Sequence, residues 1–130
     1  MSLAYLVLPQ AAAAQASPVR PPERINQEMF VPIGGIDQWI TIKGNDRGNP
    51  VVLFLHGGPG DALSPFADAM FMGWEKDFTI VQWDQRGAGR TYGKSGRSIE
   101  PTMTVERMTD DGIEVAQFLE AIAQPSVRRS

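Results

Sequence analysis

The chain has 130 residues, a formal charge of −3 and 42% hydrophobic residues, which indicates one globular domain with a modest core. With a pI near 5.1 and scattered Lys and Arg residues, it offers no basic surface for nucleic acid. The absence of cysteine excludes disulfides, thiolate nucleophiles and Cys-ligated zinc, and a single histidine excludes a His-rich metal site.

The N-terminal stretch has the features of an export signal. Residues 3–14 are mostly apolar, and Ala14-Gln15-Ala16 is the small-x-small pattern that signal peptidase accepts. This predicts a signal peptide over residues 1–16 and a periplasmic or secreted protein. An Ala-rich tail on a cytoplasmic protein stays open, because no Lys or Arg precedes the apolar run. The stretch is too short to span a membrane, and the prolines after it predict a linker over residues 17–27.

The next segments favour β-strands. Met29–Ile33 and Gln38–Lys43 are rich in β-branched and aromatic residues, and the "GGID" between them predicts a hairpin. Pro50 opens "VVLFLH", residues 51–56, which is apolar without alternation. That pattern predicts a strand covered on both faces.

Helical and strand patterns alternate in the second half. Ser64-Pro65 predicts a helix start, with Phe66, Ala69, Met70 and Trp74 at helical spacing. "FTIVQWD", residues 78–84, predicts a second buried strand, and residues 85–98 a polar loop. Thr104 is the predicted cap of a helix ended by Pro125, and Trp39, Trp74 and Trp83 are interpreted as core packing. The apolar face of this helix is predicted to comprise Val105, Met108, Gly112, Val115, Ala116, Leu119 and Ile122. The order β-β-β-α-β-α predicts an α/β sheet.

The glycine cluster "HGGPG", residues 56–60, follows the buried strand 51–56. Glycines at the carboxyl end of such a strand let the backbone approach a ligand, and the helix that follows favours negative charge there. The loop therefore suits an anion or a developing oxyanion. Phosphate is disfavoured, because neither "GAGRTYGKS" nor "GGPGDA" has the spacing of a nucleotide-binding loop.

Three segments carry a family resemblance: "HGGPG" (56–60), "WDQRGAGRT" (83–91) and "TVERMTDDGIEVAQFL" (104–119). Over residues 28–120 the chain resembles the prolyl iminopeptidase-like α/β-hydrolases. The resemblance implies a serine hydrolase that releases N-terminal residues, especially proline, from peptides, with no cofactor or metal. Peptides or small esters and amides are the implied substrates. Esterases and epoxide hydrolases share the early strands and stay open as alternatives, as does a non-catalytic module that binds an anion.

The same resemblance implies residue roles. The backbone N–H of Gly58 would be an oxyanion-hole donor, within a loop shaped by Gly57, Pro59 and Gly60. His56 would be a structural residue of this loop, because the catalytic base of these enzymes comes after the nucleophile in the chain.

Asp84 and Arg86 allow two interpretations. They would be acid and electrophile, or Asp84 accepts backbone N–H bonds while Arg86 braces the turn beside the glycine loop, with Gly87 and Gly89 shaping that turn. We favour the structural interpretation, because Asp commonly caps turns in this way.

The catalytic serine motif of the family, Gly-x-Ser-x-Gly, does not occur in the 130 residues. Ser95 is the nearest match, but it has no preceding strand and no base. The resemblance stops near Glu120, which predicts an N-terminal hydrolase portion over residues 28–122 and a divergent tail over residues 123–130. Such a chain lacks the triad and the helical cap, so we expect it to be inactive alone. Truncation of a longer enzyme or a damaged reading frame would produce such a chain. Without the serine-bearing strand beside residues 51–56, we expect aggregation or self-association.

Overall fold

The computed structural model describes residues 20–57 and 60–123. The predicted signal peptide, Gly58, Pro59 and the tail from residue 124 lie outside the described residues. Within the described part, four strands form one mixed sheet with helices on both faces, which is an α/β arrangement.

The sheet has the order β1-β2-β4-β3. Its strands are β1, Ile25–Ile33; β2, Ile36–Gly44; β3, Val51–Phe54; and β4, Thr79–Asp84. β2 runs antiparallel to β1 and β4, whereas β3 runs parallel to β4. β3 therefore forms one edge of the described sheet. β1 begins inside the segment predicted as a linker, so that prediction is wrong for residues 25–27.

The hairpin between β1 and β2 is confirmed. Ile33 lies opposite Ile36, and the two connecting glycines, Gly34 and Gly35, have φ angles of 58° and 79°. Two consecutive residues with positive φ are characteristic of the type I′ turn, which fits the twist of paired strands. A Cβ on Gly34 would overlap the carboxylate of Asp111, so helix packing also requires a glycine there.

The helices form two layers. They are α1, Ala67–Met70; α2, Gly89–Ser95; and α3, Val105–Ala123, with 3₁₀ turns at Ser64–Phe66, Trp74–Lys76 and Gly96–Thr102. α3 packs against one face of the sheet, where the main core lies. That core contains Ile25, Val31, Ile33, Ile40, Ile42, Val81, Trp83, Val115 and Leu119. α1 and α2 contact the other face.

The segment after the glycine loop forms less helix than predicted. A 3₁₀ turn capped by Leu63, and not by Ser64, leads into the single turn of α1. The helix cannot continue to residue 74, because Gly73 has a φ of 87°. Trp74 is 46% exposed, so its interpretation as core is wrong, whereas Trp83 is buried.

Three further predictions need correction. Residues 85–98 contain α2 and are not only a polar loop. β3 ends at Phe54, and Val51 and Leu55 are 38% and 63% exposed, so the run 51–56 is not covered on both faces. On α3, Val105 and Ala116 are exposed, although Thr104 caps the helix by accepting a hydrogen bond from Arg107 N. Across residues 20–57 and 60–123, no helix is long and apolar enough to cross a membrane.

Candidate functional site

His56 lies just beyond the carboxyl end of β3 and is buried. The backbone N–H of Gln85 donates a hydrogen bond to His56 Nε2 at 3.1 Å, and Nδ1 faces the carbonyl of Gly57 at 3.3 Å. Nε2 therefore acts as an acceptor, with the ring proton on Nδ1. The lone pair of Nε2 is thus occupied by a backbone N–H, which agrees with the predicted structural role of His56.

Gln85 fixes the same corner from a second direction. Its side-chain amide donates to the carbonyl of His56 at 2.9 Å. The two bonds join the carboxyl ends of the parallel strands β3 and β4 just before the glycine loop. Gln85 was not singled out in the sequence, although it stands inside the "DQRG" segment that carries the resemblance.

The described part of the glycine loop is open to solvent. A Cβ on Gly57 would meet no atom within 4 Å, so the backbone there is accessible. Gly60 has a φ of 96°, which favours glycine. Gly58 and Pro59 lie outside the described residues, so the role of Gly58 as an oxyanion donor stays a prediction.

Asp84 ends β4 and organises the start of α2. Its Oδ2 accepts a hydrogen bond from Arg90 N at 2.9 Å, and its backbone carbonyl accepts one from the Thr91 hydroxyl. Gly89, with a φ of 48°, packs so tightly that a Cβ would overlap the Asp84 carboxylate. Asp84 is therefore a capping residue of this corner. Its Oδ1 is buried without a hydrogen-bond partner among the described residues.

Arg86 points elsewhere than predicted. Its side chain is 2% exposed, and its guanidinium binds Asp111 on α3, with Nε at 2.8 Å from Oδ2. It also donates to the carbonyl of Gly34 at 2.8 Å and to the Thr102 hydroxyl at 2.9 Å. Arg86 thus braces the hairpin and α3, so the expectation that it braces the turn beside the glycine loop is wrong. Gly87, with a φ of 81°, packs on Met103.

Asp111 is the centre of a buried polar network that the sequence analysis did not identify. Besides Arg86, it accepts hydrogen bonds from Gln38 Nε2 at 3.0 Å and Arg107 Nε at 2.9 Å. Gln38 in turn accepts one from Trp83 Nε1 at 2.8 Å. Partial burial lowers the pKa of Arg107, but hydrogen bonds and charge from Asp111 and Glu114 outweigh it and raise that pKa overall. Each charged group of this network has a partner, and the network joins α3 to the hairpin and to the segment after β4.

Ser95 does not resemble a nucleophile in the structure. It lies in the last turn of α2, half-buried, and its carbonyl accepts a hydrogen bond from the Ser98 hydroxyl. Among the described residues, no cluster of three or more His, Cys, Asp or Glu side chains could hold a metal ion. What the structure places at the start of the glycine loop is backbone: two hydrogen bonds from Gln85 hold His56, and the backbone of Gly57 follows it.

The cavities lie away from this corner. A polar cavity of about 420 Å³ is lined by Arg24, Asn26, Lys43, Asp68, Glu75 and neighbouring residues. A small apolar one of about 20 Å³ lies between the sheet and the last turns of α3, beside Val51 and Leu119. Neither is lined by residues of the glycine loop, so neither serves as a pocket for a substrate bound there.

Comparison with known proteins points to peptidases. The chain is 42% identical over 87 residues to a probable aminopeptidase of Bacillus subtilis (strain 168), an alignment that covers 67% of this chain and 27% of that protein. The structure is similar to a proline iminopeptidase-related protein from Thermus thermophilus, with a TM-score of 0.61 and 26% identity, over 74% of this chain and 33% of that one. No family model matches the sequence. The chain is thus aminopeptidase-like, and it spans about a quarter to a third of the length of these two proteins.

Proposed function

We propose that residues 28–122 are the N-terminal portion of an α/β-hydrolase of the prolyl iminopeptidase type. The intact enzyme would release N-terminal residues, especially proline, from peptides by serine acyl transfer, without a cofactor. One observation carries this proposal: the glycine loop begins at the carboxyl end of β3, where Gln85 ties it to the end of β4. Open α/β sheets bind their ligands at this edge.

The oxyanion hole is the function proposed for this loop. Backbone N–H groups in a glycine loop stabilise a developing oxyanion without a side chain, and the exposed Gly57 leaves room for a substrate. In the full-length aminopeptidase relative, we expect replacement of the glycine that matches Gly58 by alanine to lower kcat by about 10- to 1000-fold, with less effect on KM. An unchanged kcat would remove Gly58 from the proposed oxyanion hole.

The helix layers support the proposed fold. The connection from β3 to β4 carries α1 on one face of the sheet, and α3 packs on the opposite face. Connections between parallel strands are right-handed. A helix on one face of the sheet therefore carries the chain in one direction across the sheet, and a helix on the other face carries it in the opposite direction. A strand that follows α3 would therefore pair with the free edge of β3. A nucleophile on such a strand would lie beside the glycine loop.

The proposal has a direct enzymatic test. The 130 residues should not hydrolyse proline 4-nitroanilide or 4-nitrophenyl acetate above background, nor react with a fluorophosphonate probe, because they hold neither Gly-x-Ser-x-Gly nor a histidine besides His56. A mixture with the matching C-terminal portion of the aminopeptidase relative, beginning after the helix equivalent to α3, should regain probe labelling and proline release. Labelling of Ser95 in the chain alone would contradict the proposal.

Export is proposed separately. Ala14-Gln15-Ala16 after an apolar run suits cleavage after residue 16. Expression in a bacterium followed by intact-mass measurement of the periplasmic fraction should show a product that begins at Ser17. A full-length product confined to the cytoplasm would refute export and leave the hydrolase proposal unaffected.

A further inference from the structure

A buried polar group lies on the face of the sheet that α1 covers. Gln82 on β4 is 3% exposed, and its side-chain Nε2 has no hydrogen-bond acceptor among the described residues. It borders an inner cavity of about 10 Å³, close to the volume that one water requires. The other walls of this inner cavity include Thr41, Lys43, Asp68 and Glu75. Because a buried donor without an acceptor is costly, the inner cavity suits a bound polar group.

The polar cavity of about 420 Å³ is the outer neighbour of this inner cavity, and the two share Lys43, Asp68 and Glu75 in their walls. Sites for small molecules typically measure about 300–1,000 Å³. Arg24 adds a second cation to the wall of the outer cavity. Lys43 Nζ lies 2.9 Å from Asp68 Oδ1, and the two side chains are 31% and 81% exposed. An ion pair this exposed contributes little to stability, so it can rearrange to admit a ligand.

Both cavities lie away from the glycine loop and from β3. Lys43 lies opposite Ile80, near the start of β4, whereas the glycine loop begins beside Gln85, just after the carboxyl end of that strand. Among the described residues, none from β3 lines either cavity. A strand paired with β3 would therefore form no part of these walls. The cavities are separate from the proposed oxyanion hole.

We propose that the outer cavity binds the charged end of a free α-amino acid. The Lys43 ammonium and the Asp68 carboxylate present opposite charges side by side. A free amino acid carries the same two groups on one carbon atom, so it can pair with both at once. Its carboxylate faces Lys43 and Arg24, and its ammonium faces Asp68 and Glu75. A water in the inner cavity accepts a hydrogen bond from Gln82 Nε2 and donates one to the bound carboxylate. This inference does not rest on the proposed hydrolase function.

Calorimetric titration of the 130-residue chain with L-alanine at neutral pH tests the proposal. L-Alanine isolates the two charged groups, because its side chain is only a methyl. We expect saturable binding, and binding weaker by about tenfold or more for N-acetyl-L-alanine and L-alaninamide, since each keeps one of the two charges. No binding at millimolar L-alanine, or equal binding of all three compounds, would overturn the proposal.

Substitutions in the cavity walls locate the site. Lys43→Met keeps most of the aliphatic side chain and removes the cation, so it should raise the Kd for L-alanine by about tenfold or more. Gln82→Leu removes the buried donor and should raise the Kd several-fold. The matched control is Lys76→Met, at an exposed lysine that lines neither cavity, and it should leave the Kd unchanged.

Circular dichroism establishes that each variant is folded before titration. Unchanged binding in Lys43→Met or Gln82→Leu, or equal weakening by Lys43→Met and Lys76→Met, would overturn the site. None of these outcomes bears on the oxyanion hole, which is tested by kcat in the full-length relative.

Discussion

The part of the sheet that packs on α3 and the edge strand β3 differ in how completely their polar groups are paired. On one side, β1, β2 and β4 meet α3 through a buried network in which Asp111 binds Arg86, Gln38 and Arg107. On the other, β3 has backbone groups without partners among the described residues and apolar side chains in solvent. The difference shows that stability is concentrated in the hairpin and α3, while the glycine loop emerges from the less supported strand. Changes in the network should therefore unfold the chain, and changes near β3 should alter mainly local order.

The largest effect is expected for Asp111→Ala. Removing this carboxylate leaves Arg86 buried without a counter-charge, which typically costs about 3–5 kcal/mol in the free energy of unfolding. Urea unfolding measures the loss. Asp110→Ala, at the exposed neighbouring position, is the matched control and should change stability by about 0.5 kcal/mol or less. Equal losses in the two variants would show that the network does not stabilise the fold.

Gly89→Ala tests the corner between the two regions. Gly89 has a φ of 48° and contacts the Asp84 carboxylate, so alanine adds backbone strain and overlap there. We expect a loss of about 1–3 kcal/mol, measured by thermal or urea unfolding. Gly93→Ala is the control, because Gly93 lies inside α2 with open space around it, and alanine there should stabilise by about 0.5–1 kcal/mol. Destabilisation by both variants would point to a general intolerance of α2.

Gln85→Ala should have a smaller effect. It removes the bond to the carbonyl of His56 and keeps the one from the backbone N–H, at a cost of about 1 kcal/mol. Amide hydrogen exchange should show the increase in opening at residues 55–57, with protection in α3 unchanged. Gln117→Ala, on the exposed surface of α3, serves as control. Loss of protection throughout the chain would mean that the glycine-loop corner belongs to the main stabilising unit.

The smallest expected effect concerns Asp46 at low pH. A hydrogen bond from Gly48 N, with further contributions from Glu23 N and Arg20, lowers the pKa of Asp46 below its usual 3.8 despite some desolvation. Because the folded pKa is the lower one, the stability contributed by Asp46 is present above pH 3.8 and is lost as the pH falls through the folded pKa. Asp46→Asn should therefore be less stable than wild type at neutral pH and equal to it in strong acid. A difference that persists in strong acid would contradict this.

The sequence predicted what depends on neighbouring residues and missed what depends on distant ones. Gly34-Gly35 and the periodicity of α3 are local signals, and both gave the correct element. The pairing of Asp111 with Arg86 was missed because it joins separate segments. A signal existed, since Asp111 shares the helical spacing of Val115 and Leu119 and so falls on the buried face.

Errors near the glycine loop have a different cause. Ser64-Pro65 is a good helix start, but α1 ends at Met70. Gly73, with a φ of 87°, was an available stop signal that was passed over because Trp74 continues the apolar helical spacing. Strand 51–56 was predicted to be covered because its composition suits a central strand. Coverage of the two faces depends on the helices that pack above and below the sheet, which local composition does not reveal.

The hydrogen bonds around the hairpin turn also bear on how the chain folds. Gly34 is bound by Arg86, 52 residues away, and by Glu114, 80 residues away. Such distant contacts form only after long loops close, which slows folding. During synthesis the hairpin and β4 emerge before Asp111 is made, so Arg86 must stay hydrated until α3 docks. We therefore expect the docking of α3, and not the formation of the hairpin, to limit the folding rate.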